Sequence, residues 1–244
     1  MISDSKFLVI FPGAWGNHSA EDVRWWFERF QPLFPRDKKK VVFLVYEGTT
    51  VDEIARNAIV QLRAAGVPAG SHALCYSMGS QVLRAVAALD KDRFAKAVFV
   101  SGLERHGIGL VPFLNIALIA FRSFALSLLT GKVFLRSVGD CHRLMFSSEQ
   151  NTEREAEAML SHMRTEPMWM KIAQVFLPVF RKTYPPLTIP VLAIVPASDA
   201  IILGATYKGE RAKIVGVTGA HAFVRHGSKH FDVLLSQIAV FLAA

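Results

Sequence analysis

The stretch "HALCYSMGS", residues 72–80, decides how the rest of the chain is interpreted. It passes from an apolar strand pattern directly to Ser77 and then, through a glycine, to the helical pattern "MGSQVLRAVAAL". A serine on so abrupt a turn is lifted off the end of a sheet, with the free N–H groups of the helix pointing at whatever it attacks. The plainer alternative is that Ser77 only caps the helix, because serine is a favoured N-cap residue.

The chain on both sides of this turn alternates between short apolar runs and helical patterns. The other runs are "KFLVIF" (6–11), "VVFLVY" (41–46), "KAVFVSG" (96–102), "PVLAIV" (190–195) and "AKIVGV" (212–217). Helical patterns cover residues 20–30, the segment after a capping box at Thr50 and Glu53, and the end of the chain from residue 228. Fully apolar strands that alternate with helices predict an α/β fold with a mostly parallel central sheet covered on both faces.

Residues 103–185 interrupt this alternation. They contain a long apolar run and two helical patterns, near 151–163 and 167–181, before the strand pattern resumes. We therefore predict a core formed by residues 1–102 and 186–244, with a helical cap inserted between two strands of one sheet.

The apolar run, residues 107–131, is long enough to raise the question of a membrane span. It is interrupted by Pro112, Asn115 and a central Arg122, and a charge is costly in hydrocarbon. A buried helix or an interfacial amphipathic segment is therefore the better interpretation.

The bulk composition argues against several classes of protein. The net charge of +8 is spread evenly, and its only run is "RDKKK" at 36–40, so we predict no binding of nucleic acid. Two cysteines, Cys75 and Cys141, are too few for a disulfide framework, and no CxxC pair suggests zinc. The first residues lack the pattern of a signal peptide, so we expect a cytoplasmic location.

The turn at Ser77 resembles the nucleophile elbow of the α/β-hydrolase superfamily, which reads small-x-Ser-x-small and usually Gly-x-Ser-x-Gly. The small residues here are Cys75 and Gly79, so Cys75 replaces the usual first glycine. The resemblance extends over the chain outside 103–185. It implies that Ser77 is the nucleophile and that the acid and then the base follow it along the chain.

The same resemblance implies where the acid lies. It follows the strand after the insertion, where Asp199 is the sole carboxylate between Glu166 and Glu210. Glu104, just after an earlier strand, is the second choice.

The base is expected in the loop before the last helix, which contains His221. His226 and His230 are the alternatives, but both fall toward or within that helix. In this scheme the acid orients the histidine and stabilises the imidazolium.

The resemblance also implies an oxyanion hole made of two backbone N–H groups. The first belongs to Met78, directly after the nucleophile. The second lies in "FPGAWGN", which follows the first strand and has Pro12 where the family has histidine. Ala14 is the expected donor and Trp15 the alternative.

A helical cap in this position roofs the active site in the family. Its apolar side chains predict a lipophilic pocket, although ordinary packing between cap helices is the alternative for each residue. We expect the substrate to contact Trp15, Phe113, Leu114, Leu118, Phe121, Met168 and Trp169. Further candidates are Ile116, Ile119, Phe124, Leu126 and Leu128.

The overall layout is similar to that of pimeloyl-carrier methyl ester esterases. Arginines of the cap are then candidates for contact with an anionic acyl carrier, with plain solvation as the alternative; they are Arg122, Arg136, Arg143, Arg154 and Arg164. An interfacial contact between the cap and a membrane is the other partner that we consider.

The combined pattern predicts a serine hydrolase of the carboxylesterase or thioesterase type, acting on a small-molecule or carrier-bound acyl ester without metal or organic cofactor. The same triad also serves C–C bond hydrolysis, lactone opening and acyl transfer. A non-catalytic binding protein with this fold is the alternative from another class. The sequence does not predict the oligomeric state.

Overall fold

The computed structural model describes residues 6–14, 19–108, 110–133, 135–146, 152–163, 166–167, 183–202, 205–223 and 231–244. The strands are β1 (Leu8–Phe11), β2 (Val41–Phe43), β3 (Ser71–Tyr76), β4 (Phe94–Val100), β5 (Lys132–Val133), β6 (Glu166–Pro167), β7 (Val191–Pro196) and β8 (Ala212–Val217). The α-helices are α1 (Ala20–Trp26), α2 (Val51–Ala64), α3 (Gly79–Leu89), α4 (Leu110–Ile119), α5 (Phe121–Thr130), α6 (Val138–Cys141), α7 (Glu153–His162) and α8 (Phe231–Ala243). Short 3-10 helices cover Glu28–Leu33 and Lys38–Lys40, and a π-helix covers His142–Phe146.

Six parallel strands form one sheet in the order β2-β1-β3-β4-β7-β8. Every residue of β1 and β3 is buried, because helices cover both faces of the sheet at its centre. The α/β fold with a parallel sheet is confirmed. The carboxyl ends of β3, β4, β7 and β8 meet at one edge, where ligands of open α/β sheets bind.

The helix predicted after Thr50 is α2, and its capping box is present. The Glu53 N–H donates to Thr50 Oγ1 over 3.2 Å, and the Thr50 N–H donates back to the Glu53 carboxylate over 3.3 Å. The buried face of α2 carries the apolar residues that the pattern placed on one side: Val51, Ile54, Ala55, Ala58, Ile59 and Leu62. Local sequence and core packing therefore agree over this helix.

Several predicted boundaries differ from the structure, and two of the differences have a local cause. The strand predicted over 41–46 stops at Phe43. Beyond it, the N–H and the carbonyl of Val45 bond the side-chain amide of Gln61 instead of a neighbouring strand. The helix predicted over 20–30 is divided into α1 and a 3-10 helix. Pro32 lies inside that 3-10 segment.

The elements α4 to α7, with the small antiparallel pair β5–β6, lie between β4 and β7 in the chain. The helix predicted near 151–163 is α7, whereas the one near 167–181 lies outside the described residues. Both α4 and α5 have 10 residues, a length of about 15 Å. Within the described part of the chain, no helix combines the length and the apolar character needed to cross a membrane.

Candidate active site

Ser77 occupies the sharp turn between β3 and α3. Its φ of 48° lies in the left-handed region, which is strained for a residue with a side chain. The Ser77 N–H donates to the carbonyl of Val100 over 3.0 Å, and the Ser77 carbonyl accepts from the Leu103 N–H over 3.3 Å and from Ser80 Oγ over 2.9 Å. These bonds to both sides of the residue hold the strained turn in place.

Steric crowding explains why a glycine, Gly79, begins α3. A Cβ on Gly79 would lie 2.3 Å from the carbonyl oxygen of Phe11, so only glycine lets α3 approach the end of β1. The loop after β1 is equally close, because a Cβ on Gly13 would lie 2.8 Å from Tyr76 Cδ1 and 3.3 Å from Ser77 Cβ. The two glycines bring the loop after β1 against the serine turn.

The structure brings His221 and Asp199 to Ser77. His221 Nε2 lies 2.9 Å from Ser77 Oγ, and His221 Nδ1 lies 2.8 Å from Asp199 Oδ2. Because an ionised carboxylate only accepts, Nδ1–H is the donor to Asp199, and Nε2 is left to accept the serine proton. His221 and Asp199 are both only 1 % exposed, so water does not compete for this bond.

The other oxygen of Asp199 is also held. Its Oδ1 accepts the backbone N–H groups of Ile201 over 2.8 Å and of Ile202 over 3.1 Å. The carboxylate is therefore fixed on both sides, by the loop after β7 and by the imidazole. A fixed carboxylate fixes the tautomer and the orientation of the ring.

Two hydroxyl groups that the sequence analysis missed also position the histidine. Tyr76 Oη donates to the backbone carbonyl of His221 over 3.1 Å, and Ser101 Oγ donates to the same carbonyl over 3.0 Å. Burial, with a smaller contribution from Asp199, raises the pKa of Tyr76 well above its ordinary value, so the phenol keeps the proton that it donates. Their positions in the sequence could have indicated this role, because Tyr76 ends β3 and Ser101 directly follows β4, at the same edge of the sheet as Ser77. Ser101 also has a left-handed φ of 47°.

A buried ion pair supports the turn from behind. Arg84 Nε lies 2.6 Å from Glu210 Oε1, and both side chains are almost fully buried. Arg84 Nη1 donates to the carbonyls of Leu103 and Ser80, over 2.8 Å and 3.2 Å. The pair therefore connects α3 to the chain after β4 and to Glu210, and nothing in the sequence pattern indicated it.

Two alternatives from the sequence analysis, a capping role for Ser77 and Glu104 as the acid, can be compared with the structure. Ser77 is not the N-cap residue of α3, because that position is occupied by Met78, whose side chain makes no capping bond. Glu104 does not approach the histidine, because its Oε1 accepts the Tyr207 N–H over 3.0 Å. His226 and His230 lie outside the described residues.

The two expected oxyanion donors lie beside the serine. Met78 is buried at the start of α3, where backbone N–H groups have no acceptor within the helix. Ala14 is half-buried and directly follows Gly13, which abuts the serine turn. Trp15 lies outside the described residues.

The expected substrate contacts in the insertion are mostly exposed to solvent. Leu114, Leu118 and Phe121 are 50 %, 74 % and 64 % exposed, which differs from the enclosed lining that we predicted. The reason is that α4 packs through its other side, with Ala120 just after it buried and Ile116 against the core. The side chains of Phe113, Met168 and Trp169 lie outside the description.

A small cavity of about 110 Å³ is lined by residues that neighbour the candidate triad but not by the triad residues themselves. The chain after β4, the start of α4 and the loop after Asp199 form it. Its lining is Leu103, Glu104, Gly107, Ile108, Pro112, Ile201, Ile202 and Ala205. All but one of these residues are apolar or glycine, so the cavity accepts an apolar group.

The insertion also contacts the loop of the histidine. The Ala222 N–H donates to the carbonyl of Met145 over 2.8 Å, which joins the residue after His221 to the π-helix. Met145 is itself buried. The position of the histidine loop thus depends on the insertion as well as on the sheet.

No protein-family model matches the chain, and no curated protein matches it in sequence. Solved structures do match it. An α/β-hydrolase-fold protein from Chitinophaga pinensis has a TM-score of 0.68 at 15 % identity, covering 99 % of this chain and 90 % of that one. An esterase from a Rhodococcus species has a TM-score of 0.63 at 15 % identity, covering 99 % and 92 %. The thioesterase of the prodiginine pathway in Streptomyces coelicolor has a TM-score of 0.59 at 18 % identity, covering 96 % and 84 %.

Proposed function

The chain has the α/β-hydrolase fold, and we propose that it is a serine hydrolase that cleaves a carboxylic ester or thioester with a lipophilic group. The observation that carries the proposal is the contact of 2.9 Å between Ser77 Oγ and His221 Nε2 at a strained turn. A serine hydroxyl becomes a useful nucleophile only when a base takes its proton. His221 is the base that we propose, and its contact with Asp199 supports this role by orienting the ring.

In the first half of the reaction, Ser77 Oγ attacks the carbonyl carbon while its proton passes to His221 Nε2. The imidazolium that forms is stabilised by Asp199. The N–H groups of Met78 and Ala14 receive the negative charge on the carbonyl oxygen. His221 then gives its proton to the leaving alcohol or thiol, and the acyl group remains on the serine.

In the second half, water takes the place of the leaving group. His221 removes a proton from the water, whose oxygen attacks the acyl-enzyme, and then returns that proton to Ser77 as the acid leaves. The cycle restores each group to its starting protonation state. It requires neither a metal nor an organic cofactor.

The small apolar cavity supports a lipophilic substrate. Leu103 and Ile201 connect it to the site, because the Leu103 N–H bonds the Ser77 carbonyl and the Ile201 N–H bonds Asp199. In this proposal the insertion acts as a helical cap over the site. The structural neighbours include an esterase and a thioesterase, whose names correspond to the two substrate classes proposed here.

The two cysteines support a reducing setting for the protein. Cys75 and Cys141 are both buried and unpaired with one another. We place the protein in the cytoplasm, with a small-molecule or carrier-bound acyl ester as its substrate.

The test is hydrolysis of p-nitrophenyl esters with acyl chains from two to sixteen carbons. We expect activity with an optimum at one chain length and a loss of about 10⁴-fold or more in Ser77→Ala. Ser236→Ala is the matched control, because Ser236 is exposed on α8 and its hydroxyl donates to the carbonyl of Asp232 in the same helix. Activity that survives in Ser77→Ala would remove the proposed nucleophile.

Labelling with a fluorophosphonate distinguishes the alternatives. Covalent labelling of Ser77 without ester hydrolysis would indicate that the triad acts on another bond, as in C–C hydrolysis, lactone opening or acyl transfer. No labelling of a folded wild-type protein would favour a binding protein instead.

A further inference from the structure

The two helices that open the insertion carry an unusual apolar surface. Val111, Leu114 and Leu118 follow helical spacing along one side of α4, and Phe121 and Leu129 are exposed on α5, which follows it directly. They are 62 %, 50 %, 74 %, 64 % and 84 % exposed, in that order. We call these five side chains the α4–α5 face. Scattered single apolar residues are normal on a protein surface, but a continuous group of large ones marks an interaction site.

The segment that carries this face has an excess of positive charge. Between residues 110 and 146 the sequence contains four cations, Arg122, Lys132, Arg136 and Arg143, and a single carboxylate, Asp140. All four cations are exposed. Asp140 is bonded to Ser123 and paired with Arg143, so it offsets one of the four cations and leaves Arg122, Lys132 and Arg136. The face therefore combines exposed apolar side chains with positive charge.

We propose that the α4–α5 face docks on an anionic lipid surface. Apolar side chains that enter the boundary of a bilayer, flanked by cations that meet acidic headgroups, are the physical basis of such binding. Two exposed helices of 10 residues each lie in the plane of a membrane and are too short to cross it. A second copy of the chain is a poorer partner, because a two-fold contact would bring the same cations against one another.

Docking through the α4–α5 face would bring the lipid close to the candidate active site. Pro112, in the first turn of α4, and Ile108, which precedes the helix, line the cavity together with Ile201 and Ile202, whose N–H groups bond Asp199. Docking through α4 therefore brings that cavity close to the lipid. Binding itself needs no hydrolysis, so this inference stands or falls separately from the proposed reaction.

The experiment is sedimentation of the full chain with vesicles of phosphatidylcholine alone or with one third phosphatidylglycerol. We expect binding to the anionic vesicles that weakens as salt is added, and much weaker binding to neutral ones. Leu118→Asn/Phe121→Asn should reduce the affinity about ten-fold or more, because two side chains no longer enter the lipid. Arg122→Gln should cost about five-fold on anionic vesicles only.

Matched controls separate the face from general surface character. Val60→Asn/Val240→Asn removes two apolar side chains that are 63 % and 69 % exposed on α2 and α8, and it should bind like the wild type. Ser77→Ala should also bind normally, which separates docking from catalysis. The proposal is overturned if the wild type does not sediment with anionic vesicles, or if the two double variants bind equally. Self-association that depends on Leu118 and Phe121, without vesicle binding, would assign the face to a second copy instead.

Discussion

The sharpest test of the serine turn is the replacement Gly79→Ala, which adds one methyl group where α3 meets β1. The new Cβ would lie 2.3 Å from the carbonyl oxygen of Phe11 and 2.8 Å from that of Pro12. The first distance is about 1 Å shorter than the ~3.3 Å at which carbon and a carbonyl oxygen touch. Both neighbours are backbone atoms of a buried strand and its loop, so α3 or the loop must move by roughly that amount.

The movement has two measurable effects. Misplacing catalytic groups by about 1 Å costs about 100-fold in rate, and the Met78 and Ala14 donors lie on the two segments that are pushed apart. Overpacking a core costs about 1–3 kcal/mol, part of which alanine recovers through its helix propensity. We therefore expect kcat to fall about 100-fold and the free energy of unfolding to fall by about 1–2 kcal/mol.

The assay combines ester hydrolysis, or labelling of Ser77 where turnover is slow, with urea unfolding followed by circular dichroism. Gly216→Ala is the control, because no atom lies within 4 Å of its added Cβ and its φ is not in the left-handed region. It should keep full activity and stability within about 0.5 kcal/mol. Wild-type rates in a folded Gly79→Ala would refute the steric argument for the turn.

Three further predictions concern buried ionisable groups. Arg84→Met leaves Glu210 as a buried charge without its arginine partner and should lower the free energy of unfolding, measured in urea, by about 3–5 kcal/mol. The double variant Arg84→Met/Glu210→Leu should recover most of this loss. If it recovers none, the ion pair is not the cause. Burial, with Lys6 and Lys96 nearby, lowers the pKa of His72 from 6.5 to about 4. Between these two pH values His72 is therefore protonated in the unfolded chain and neutral in the folded chain. Stability should therefore fall by about 2 kcal/mol as the pH drops from 6.5 to 4, and His72→Phe should remove that slope; an unchanged slope would contradict the assignment. Burial raises the pKa of Cys75 well above its ordinary value and that of Cys141 to about 12, so Ellman's reagent should titrate neither thiol in the native protein and both in urea.

The sheet could be predicted from the sequence because its central strands are buried on both faces and so appear as continuous apolar runs. The end of β2 could not, because a side chain from α2, Gln61, replaces the backbone partner of Val45. The sequence also did not indicate which side of α4 is exposed. A helix that is apolar all round does not show which side the rest of the chain covers, so Leu118 was expected in a pocket and instead faces solvent.

The candidate triad followed from the order of motifs along the chain, which places Ser77, Asp199 and His221 each at the end of a strand. The supporting hydroxyls did not follow. Tyr76 and Ser101 donate to the backbone carbonyl of a residue 145 and 120 positions away. Every residue has such a carbonyl, so the identity of the partner residue gives no signal in the sequence. Such contacts become visible only when the strands lie side by side.

The pairing of β4 with β7, which joins Val100 to Ile194 across the whole insertion, divides the candidate site along the chain. Ser77 and the proposed oxyanion donors precede the insertion, whereas Asp199 follows β7 and His221 follows β8. In the proposed mechanism, a nascent or truncated chain that stops before β7 therefore carries an inert serine. Hydrolysis would begin only after β7 and β8 have joined the sheet, so the appearance of activity during translation would report that step of folding.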